Sequence, residues 1–463
     1  MPVEGSGLGS RLAQEVARDK RLGNLATPSS IQKLQAALHA KAKGEPGFRF
    51  YALYDKMNRK DVLEHAYACC RANQGAAGVD GERFEDIEAC GVDRWLEELA
   101  EALRKKTYRP QAVKRVYIPK ANGKLRPLSI PVIRDRVVML ATMSVLTPIF
   151  EADLAPEQHG YRAERSALTA VKEVHGLLST GHTRVVDADL SDYFGSIPHA
   201  ELMKSVARRV VDRNMLHLIR MWLDAPVEET DARNRATRTT QSKDSGRGIP
   251  QGSPISPLLS NLYMRRLVLG WKRLGFERQF GARIVTYADD LVICCRHRAE
   301  EALTALRELA GRLKLTVNEE KTHVCQLTEG RFDFLGYTFE RCYSETTGRA
   351  YLGTRPSKKS IQRMVVAISA QTERRATGLK AEIVVERLNR MLTGWANYFC
   401  LGPVSKSYRA LDEHAAMRLR RWLRKKHKVE SAGSTRFPYE YLHDTLGLVR
   451  LLGRTRSLPW ARA

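Results

Sequence analysis

Arg283-Ile-Val-Thr-Tyr-Ala-Asp-Asp-Leu-Val-Ile-Cys-Cys295 sets two β-rich runs, Ile284–Tyr287 and Leu291–Cys295, on either side of Ala288-Asp289-Asp290. With no strong helix former to bridge the runs, the stretch reads as a tight hairpin with two adjacent carboxylates at its tip. An ordinary hairpin turn places Asn or Asp beside Gly, because Gly adopts positive φ at little cost. Here there is no Gly, and neighbouring negative charges between apolar strands repel unless a cation neutralises them.

Outward from this hairpin, the sequence supplies a second acidic strand. Arg184–Leu190 (RVVDADL) carries Asp187 and Asp189 on one face by the period of two. A carboxylate in an apolar strand is rare unless it is paired or holds a metal. Ser191–His199 then turns the chain into a helix expected over Ala200–Asp212. Gly248-Ile-Pro-Gln-Gly-Ser-Pro-Ile-Ser-Pro257 precedes an apolar helix expected at Leu258–Leu269, an arrangement suited to holding a ligand against backbone amides. Between them, residues 225–247 are polar and read as an exposed insertion.

Nearer the N-terminus, Val113–Ile118 reads as a strand, Asn122-Gly123 as a turn, and Leu128–Val132 as the returning strand. Lys120, Lys124 and Arg126 stand on that hairpin, where three cations would suit a triphosphate. Residues 1–28 mix Gly, Ser and charge and read as a mobile arm. Helices are expected at Ile31–Ala42, capped by Ser29-Ser30, then at about Tyr51–Ala72, Asp93–Lys105 and Arg134–Phe150. Asn73–Gly81 is a Gly-rich loop with no preceding strand, so it is not a dinucleotide fingerprint.

After the acidic hairpin come an amphipathic helix over Glu300–Leu313, a loop at Asn318–Thr322 and a β-hairpin at Phe332–Phe339. From about Ser357 the pattern is helical, through Ser360–Ala370, Ala381–Phe399 and Ser405–Lys428, and a domain boundary is expected near 350–357. His414–Lys428 contains Arg418, Arg420, Arg421, Arg424, Lys425, Lys426 and Lys428 and no acid. A run so one-sided, interrupted by Trp422, fits a surface that follows a phosphate backbone better than a solvated face.

Composition agrees with a polyanionic partner. Among 463 residues, 77 Lys and Arg against 52 Asp and Glu give a net charge of +25 and a pI near 9.9, beyond what solubility needs. The eight cysteines include no Cys-x-x-Cys pair, which points to a reducing compartment. No apolar run reaches the roughly 18 residues of a membrane span, and the N-terminus lacks a signal-peptide core. A cytoplasmic, nucleoid-associated protein without membrane contact is expected.

The order of these blocks resembles a reverse transcriptase, and specifically a group II intron-encoded reverse transcriptase and maturase. The basic hairpin (120–126), Asp189, Pro250-Gln-Gly252, Tyr287-Ala-Asp-Asp290, Lys321 and Phe334-Leu-Gly336 occur in the family's order. GVDG at 78–81, IPKANGKLRPLSIP at 118–131, GYR at 160–162 and GWANYF at 394–399 are similar to that family's own blocks.

The resemblance implies an α+β right-hand polymerase of fingers, palm and thumb, with an N-terminal extension. The expected divisions are an arm at 1–28, an N-terminal extension and start of fingers at 29–112, fingers and palm at 113–350, and a helical thumb and maturase region at 351–463. It implies two Mg²⁺ held by Asp189 and Asp289, supported by Asp290 and the backbone carbonyl of Leu190. Asp187 and Asp192 are the nearest rivals to Asp189. Lys120 and Arg126 would grip the triphosphate, Gln251 and Ala288 would line the nucleotide site, and Phe194 would exclude a ribose 2′-hydroxyl. Lys321 would be the acid for pyrophosphate, and Phe334, Leu335 and Gly336 the primer grip.

Expected partners are the intron RNA, an RNA template with DNA primer, dNTP and target DNA. No HNH-type cluster of His, Asn and paired Cys follows the expected thumb, so the endonuclease of the largest family members is expected to be missing, and priming would come from a nascent strand, a nick or another 3′ end. Two other readings stand beside this one: an RNA-binding splicing factor with an idle active site, and a reverse transcriptase of a retron, diversity-generating or defence system.

Overall fold

The computed structural model describes residues 25–119, 123, 125–231, 235–344, 347–430 and 433–457. Most of the expected N-terminal arm, and the tip of the basic hairpin with Lys120 and Lys124, lie outside the described residues. The chain divides into two compact units, one formed by residues up to Ala170 with Val186–Val324, the other by Val171–Val185 with Cys325 onward.

The first unit carries two four-stranded sheets. In one, β1 (Val113–Pro119) pairs antiparallel with β2 (Leu125–Ile130), with Pro119 opposite Leu125. β2 therefore starts three residues earlier than the sequence pattern implies and stops before Pro131. β1 also pairs in parallel with a third strand, giving the order β2-β1-β4-β5. The second sheet has the order β6-β7-β3-β8, built from β3 (Arg184–Asp189), β6 (Ala282–Tyr287), β7 (Asp290–Cys295) and β8 (His323–Gln326). Leu291–Cys295 are fully buried, which accounts for the two adjacent cysteines as small core residues. All eight cysteines are free.

Residues 225–247 are not a plain exposed insertion. β4 (Val227–Thr230) and β5 (Ala236–Thr239) form an antiparallel ribbon that extends the first sheet. Thr is a good strand former, and the charges pair across the ribbon, as in Arg238 with Glu228 at 2.8 Å, so polarity alone misled the reading.

Helix boundaries shift for identifiable reasons. The helix expected over Tyr51–Ala72 is broken into Tyr54–Met57 and Lys60–Ala72, because Arg59 is extended between them. The helix expected to reach Asp212 spans His199–Ala207 instead. Asp212 caps the next helix, Arg213–Leu223, accepting from the Asn214 and Met215 amides, while its other oxygen accepts from the Leu53 and Tyr54 amides at 2.8 Å each. The first helix, Ser29–Gly44, follows Pro28 and has no side-chain cap; Ser30 donates instead to Asp61 at 2.6 Å. Ile133–Glu151 and Ser256–Arg273 are longer than expected, and both run largely through the core of this unit.

In the second unit, β9 (Arg331–Phe334), β10 (Tyr337–Tyr343) and β11 (Ala350–Pro356) form a sheet of order β11-β10-β9. Helices Lys358–Gln371, Ala381–Tyr398 and Ser405–Lys426 pack a core of Ile368, Leu388, Leu392, Tyr408, Leu411, Leu419 and Trp422. Sheet and helices belong together: the Tyr337 hydroxyl donates to the Tyr398 carbonyl at 2.5 Å, and its ring lies 5.1 Å from Phe399. Both lie in the compact unit that takes in the chain from Cys325 onward. Asp412, buried, accepts from the Leu451 and Leu452 amides at 2.9 Å, pinning the last described segment to the third helix. Among the described residues no helix is long and apolar enough to cross a membrane.

Candidate active site

The acidic hairpin is as tight as a hairpin can be: Tyr287 pairs with Asp290, so Ala288 and Asp289 alone make the turn. Ala288 takes a positive φ of 58°, which an L-residue adopts only where its surroundings compel it. A two-residue hairpin turn itself needs positive φ at its first position, and the segment Glu157–Gly160 runs beside this turn along the edge strand β6. The His159 amide donates to the Thr286 carbonyl and the Thr286 amide to the Glu157 carbonyl, both at 2.9 Å. Gly160 then passes beneath the turn so closely that a Cβ there would lie 2.5 Å from the Ala288 nitrogen. Arg162 of the same GYR block bonds Glu151 and the carbonyls of Ala155 and Gln158.

Asp189 ends β3, which lies between β7 and β8, while Asp290 begins β7 rather than standing in the turn. The Asp189 carboxylate is part-exposed; Lys321 Nζ lies 2.7 Å from its Oδ2 and Asn318 Nδ2 at 3.3 Å. The Asn318 amide also donates to the Asp189 carbonyl at 2.8 Å, which fixes the Asn318–Thr322 loop to the end of the strand. Leu190 is buried and bridges Val317. The two rivals are placed differently: Asp187 lies 3.8 Å from the His323 ring, and Asp192, at φ 40°, packs its carboxylate on Gly195.

Tyr193, fully buried, donates to the Ser260 carbonyl at 2.7 Å. Burial pushes its phenol well above the ordinary range, and the nearby Tyr263 and Asp289 add to the rise. Asp289 is therefore within electrostatic reach of a residue four positions past Asp189.

The nucleotide-site candidates are linked by hydrogen bonds. Arg126 Nε donates to Gln251 Oε1 at 3.2 Å, and the Ser129 amide to the Gln251 carbonyl at 2.6 Å. Gly252, at φ 102°, backs onto the Ser129 carbonyl, where a Cβ would lie 2.9 Å away. Phe194 is 5% exposed, edge-on to Tyr193 at 5.9 Å, and its carbonyl accepts from the Ile249 amide at 2.8 Å. Arg126, Gln251 and Phe194 thus share one connected loop system, and Lys321 stands on Asp189. Lys120 is outside the described residues.

In the second unit, Leu335 and Gly336 make a two-residue hairpin at φ 50° and 81°. Phe334 and Leu335 are buried; the Leu335 carbonyl accepts from the Tyr398 hydroxyl at 2.7 Å, and that of Gly336 from Ser357 and Ser360. The basic helix is split in its use. Arg418, Arg420, Arg424 and Lys426 bond carbonyls of their own unit. Arg421, Lys425 and Lys428 are exposed and, with Arg424, line one open groove beside Val429 and Glu430. Trp422 does not interleave with them on the surface; it is fully buried.

Among the described residues no group of three or more acidic, His or Cys side chains forms a ready metal cage. The acids at the end of β3 and the start of β7 offer carboxylate oxygens, the type a hard dication takes, and the Asp189 carboxylate already faces a cation in Lys321. The sequence pattern singled out the acids but gave no signal for Asn318, Asn261 or Tyr193, whose contacts are made over long separations.

The reverse transcriptase (RNA-dependent DNA polymerase) family model matches residues 118–339, and the group II intron, maturase-specific domain matches 361–437. Protein YkfC of Escherichia coli (strain K12) is 31% identical over 369 residues, covering 71% of this chain and 93% of that protein. The group II intron-encoded protein LtrA of Lactococcus lactis subsp. cremoris is 30% identical over 281 residues, 59% of this chain and 43% of LtrA. A putative COX1/OXI3 intron 1 protein of Saccharomyces cerevisiae is 26% identical over 333 residues, 61% of this chain and 38% of that protein. The chain thus spans less than half the length of the latter two. An RNA-directed DNA polymerase domain with the right-hand α+β fold, followed by a maturase-specific domain, makes this chain a member of the group II intron-encoded reverse transcriptase and maturase family.

Proposed function

We propose that the chain copies RNA into DNA at the end of the β6-β7-β3-β8 sheet and binds its intron RNA through the helical region that follows. The observation that supports the reading is that Asp189 ends β3 while Asp289 stands in the turn that leads into β7, the neighbouring strand of the same sheet. Residues 29–112 would form the N-terminal extension, 113–350 the fingers and palm, and 351–463 the thumb and maturase region.

In this mechanism the primer 3′-hydroxyl attacks the α-phosphorus of a dNTP, forming one P–O bond as the bond to the bridging oxygen breaks. The hydroxyl proton leaves to solvent, and pyrophosphate takes a proton from Lys321, released from Asp189. Asp189 and Asp289, with Asp290 and the Leu190 carbonyl, would hold two Mg²⁺. When bound, these ions supply charge neutralisation at the attacking and leaving oxygens. Arg126 and Lys120 hold the triphosphate, Gln251 and Ala288 set the base and primer end, and Phe194 closes the space beneath the sugar. Phe334–Gly336 would support the primer. Eight free cysteines support a reducing, cytoplasmic setting where target DNA is at hand. A retron-type or defence-type role is less well supported, because the maturase-specific match covers 361–437.

The test is Asp289→Asn, assayed by oligo(dT) extension on poly(rA) beside filter binding of the intron RNA. Synthesis is expected to vanish with RNA affinity nearly unchanged, since the loss of a ligand charge acts on the transition state alone. Residual synthesis above a few per cent would refute the ligand assignment.

A further inference from the structure

Two consecutive residues of the Ser256–Arg273 helix hold the segments that adjoin the two acidic stretches. Ser260 accepts the Tyr193 hydroxyl at 2.7 Å, holding the stretch just after Asp189. Asn261, 3% exposed, donates from Nδ2 to the Gly160 carbonyl at 2.8 Å, and its own carbonyl accepts from Gln158 Nε2 at 3.0 Å. The segment 158–160 is therefore bolted to the helix at two points. That same segment bonds β6 on one side, and its Gly160 is the plate against which the Ala288 backbone packs, with no room for a Cβ.

We infer that Asn261 is a positioning residue for DNA synthesis: through Gly160 it seats the Ala288-Asp289 turn and fixes the separation of Asp289 from Asp189. The inference rests on the reading that chemistry occurs at these carboxylates. The chemistry of the contact explains the residue. Gly160 offers a buried carbonyl that needs a donor, and the Asn amide supplies one without charge. Asp at 261 has the same shape but would face that carbonyl with a second acceptor, so the plate must shift. A displacement near 1 Å at reacting groups costs about 10²-fold in rate. Arg126 and Gln251 sit on other loops, so their part in nucleotide binding is spared and only the Ala288 contact shifts with the turn.

The experiment compares Asn261→Asp, Asn261→Ser and Gly160→Ala with Val206→Ala, a fully buried residue of the His199–Ala207 helix outside the hydrogen-bonded path from Asn261 through residues 158–160 to β6. Single-nucleotide extension kinetics, melting temperature and Mn²⁺ binding followed by the loss of free-ion paramagnetic signal are measured for each. Expected for Asn261→Asp and Gly160→Ala are a kcat lower by about 10- to 100-fold and a smaller rise in KM for dNTP, since of the nucleotide-site residues only Ala288 moves with the turn. Weakened Mn²⁺ binding should accompany them, while Val206→Ala at matched melting temperature keeps its kcat. Should Asn261→Asp not fold, Asn261→Ser and Gly160→Ala carry the test from either side of the contact. Kinetics of these variants that track melting temperature as Val206→Ala does would overturn the positioning role. If instead Asp289→Asn itself retains synthesis, the site reading fails, and the inference falls with it.

Discussion

Neutralising Arg421, Lys425 and Lys428 to Gln should weaken binding of intron RNA mainly through its salt dependence. Only these three of the seven cations in the run are exposed; Arg418, Arg420, Arg424 and Lys426 are engaged with carbonyls of their own unit. Each lost phosphate contact removes about 0.7 from the slope of log affinity against log salt for a single strand and about 0.9 for a duplex. Three contacts therefore flatten the slope by about 2 to 3, and the wild-type advantage should shrink roughly 20- to 40-fold between about 50 and 200 mM salt. The assay is filter binding of the transcribed intron across that range, with circular dichroism to confirm the fold. Arg418→Gln is the internal control. Its Nε bonds Thr372 at 3.0 Å and its Nη2 the Ser369 carbonyl at 2.9 Å. Losing charged hydrogen bonds of this kind costs roughly 1.5–3 kcal/mol of stability, with little change of slope. Superimposable slopes for wild type and triple variant, or a larger slope change for Arg418→Gln, would refute the division of this helix into a phosphate-tracking edge and a structural one.

Three further outcomes are expected. Phe194→Ala should admit ribonucleotides beside deoxyribonucleotides in an extension assay; because the ring is 5% exposed, a parallel fall of both with a lower melting temperature would make it core alone, at about 3–5 kcal/mol. Asp212→Ala should cost about 3–5 kcal/mol in urea unfolding, because it removes an N-cap and leaves the buried Leu53 and Tyr54 amides unbonded. Burial pushes the Asp135 carboxyl up to about 6, against the opposing pull of hydrogen bonds from Tyr108 and the Gln111 amide. The folded state then binds this proton more tightly than the unfolded one. The resulting stability is present below about pH 4 and is lost as pH rises to about 6, by up to roughly 3 kcal/mol, and Asp135→Asn should remove that part of the pH profile.

What the sequence made legible is what depends on neighbours in the chain. The period of two in RVVDADL and the two β-rich runs of RIVTYADDLVICC marked three strands of the β6-β7-β3-β8 sheet and the acids at their ends. A turn without Gly marked the hairpin as unusual, and the marked residue, Ala288, is the one held at positive φ. What stayed hidden depends on groups far apart in sequence. Asp212 looks like the end of one helix until the Leu53 and Tyr54 amides, about 160 residues away, are seen to converge on it. The charges of 225–247 look like solvated loop until Val227 pairs beside Val113. The basic helix shows the same limit from the other side: composition counts seven cations, but internal carbonyls occupy four of them, and only burial separates the two groups. The acidic turn joins both kinds of information. Its carboxylates are written locally, whereas the support against Ala288 comes from Gly160 and, behind it, from a side-chain amide on a helix 101 residues further on. A substitution at Asp289 therefore tests the chemistry, and one at Gly160 or Asn261 tests the geometry that the chemistry needs.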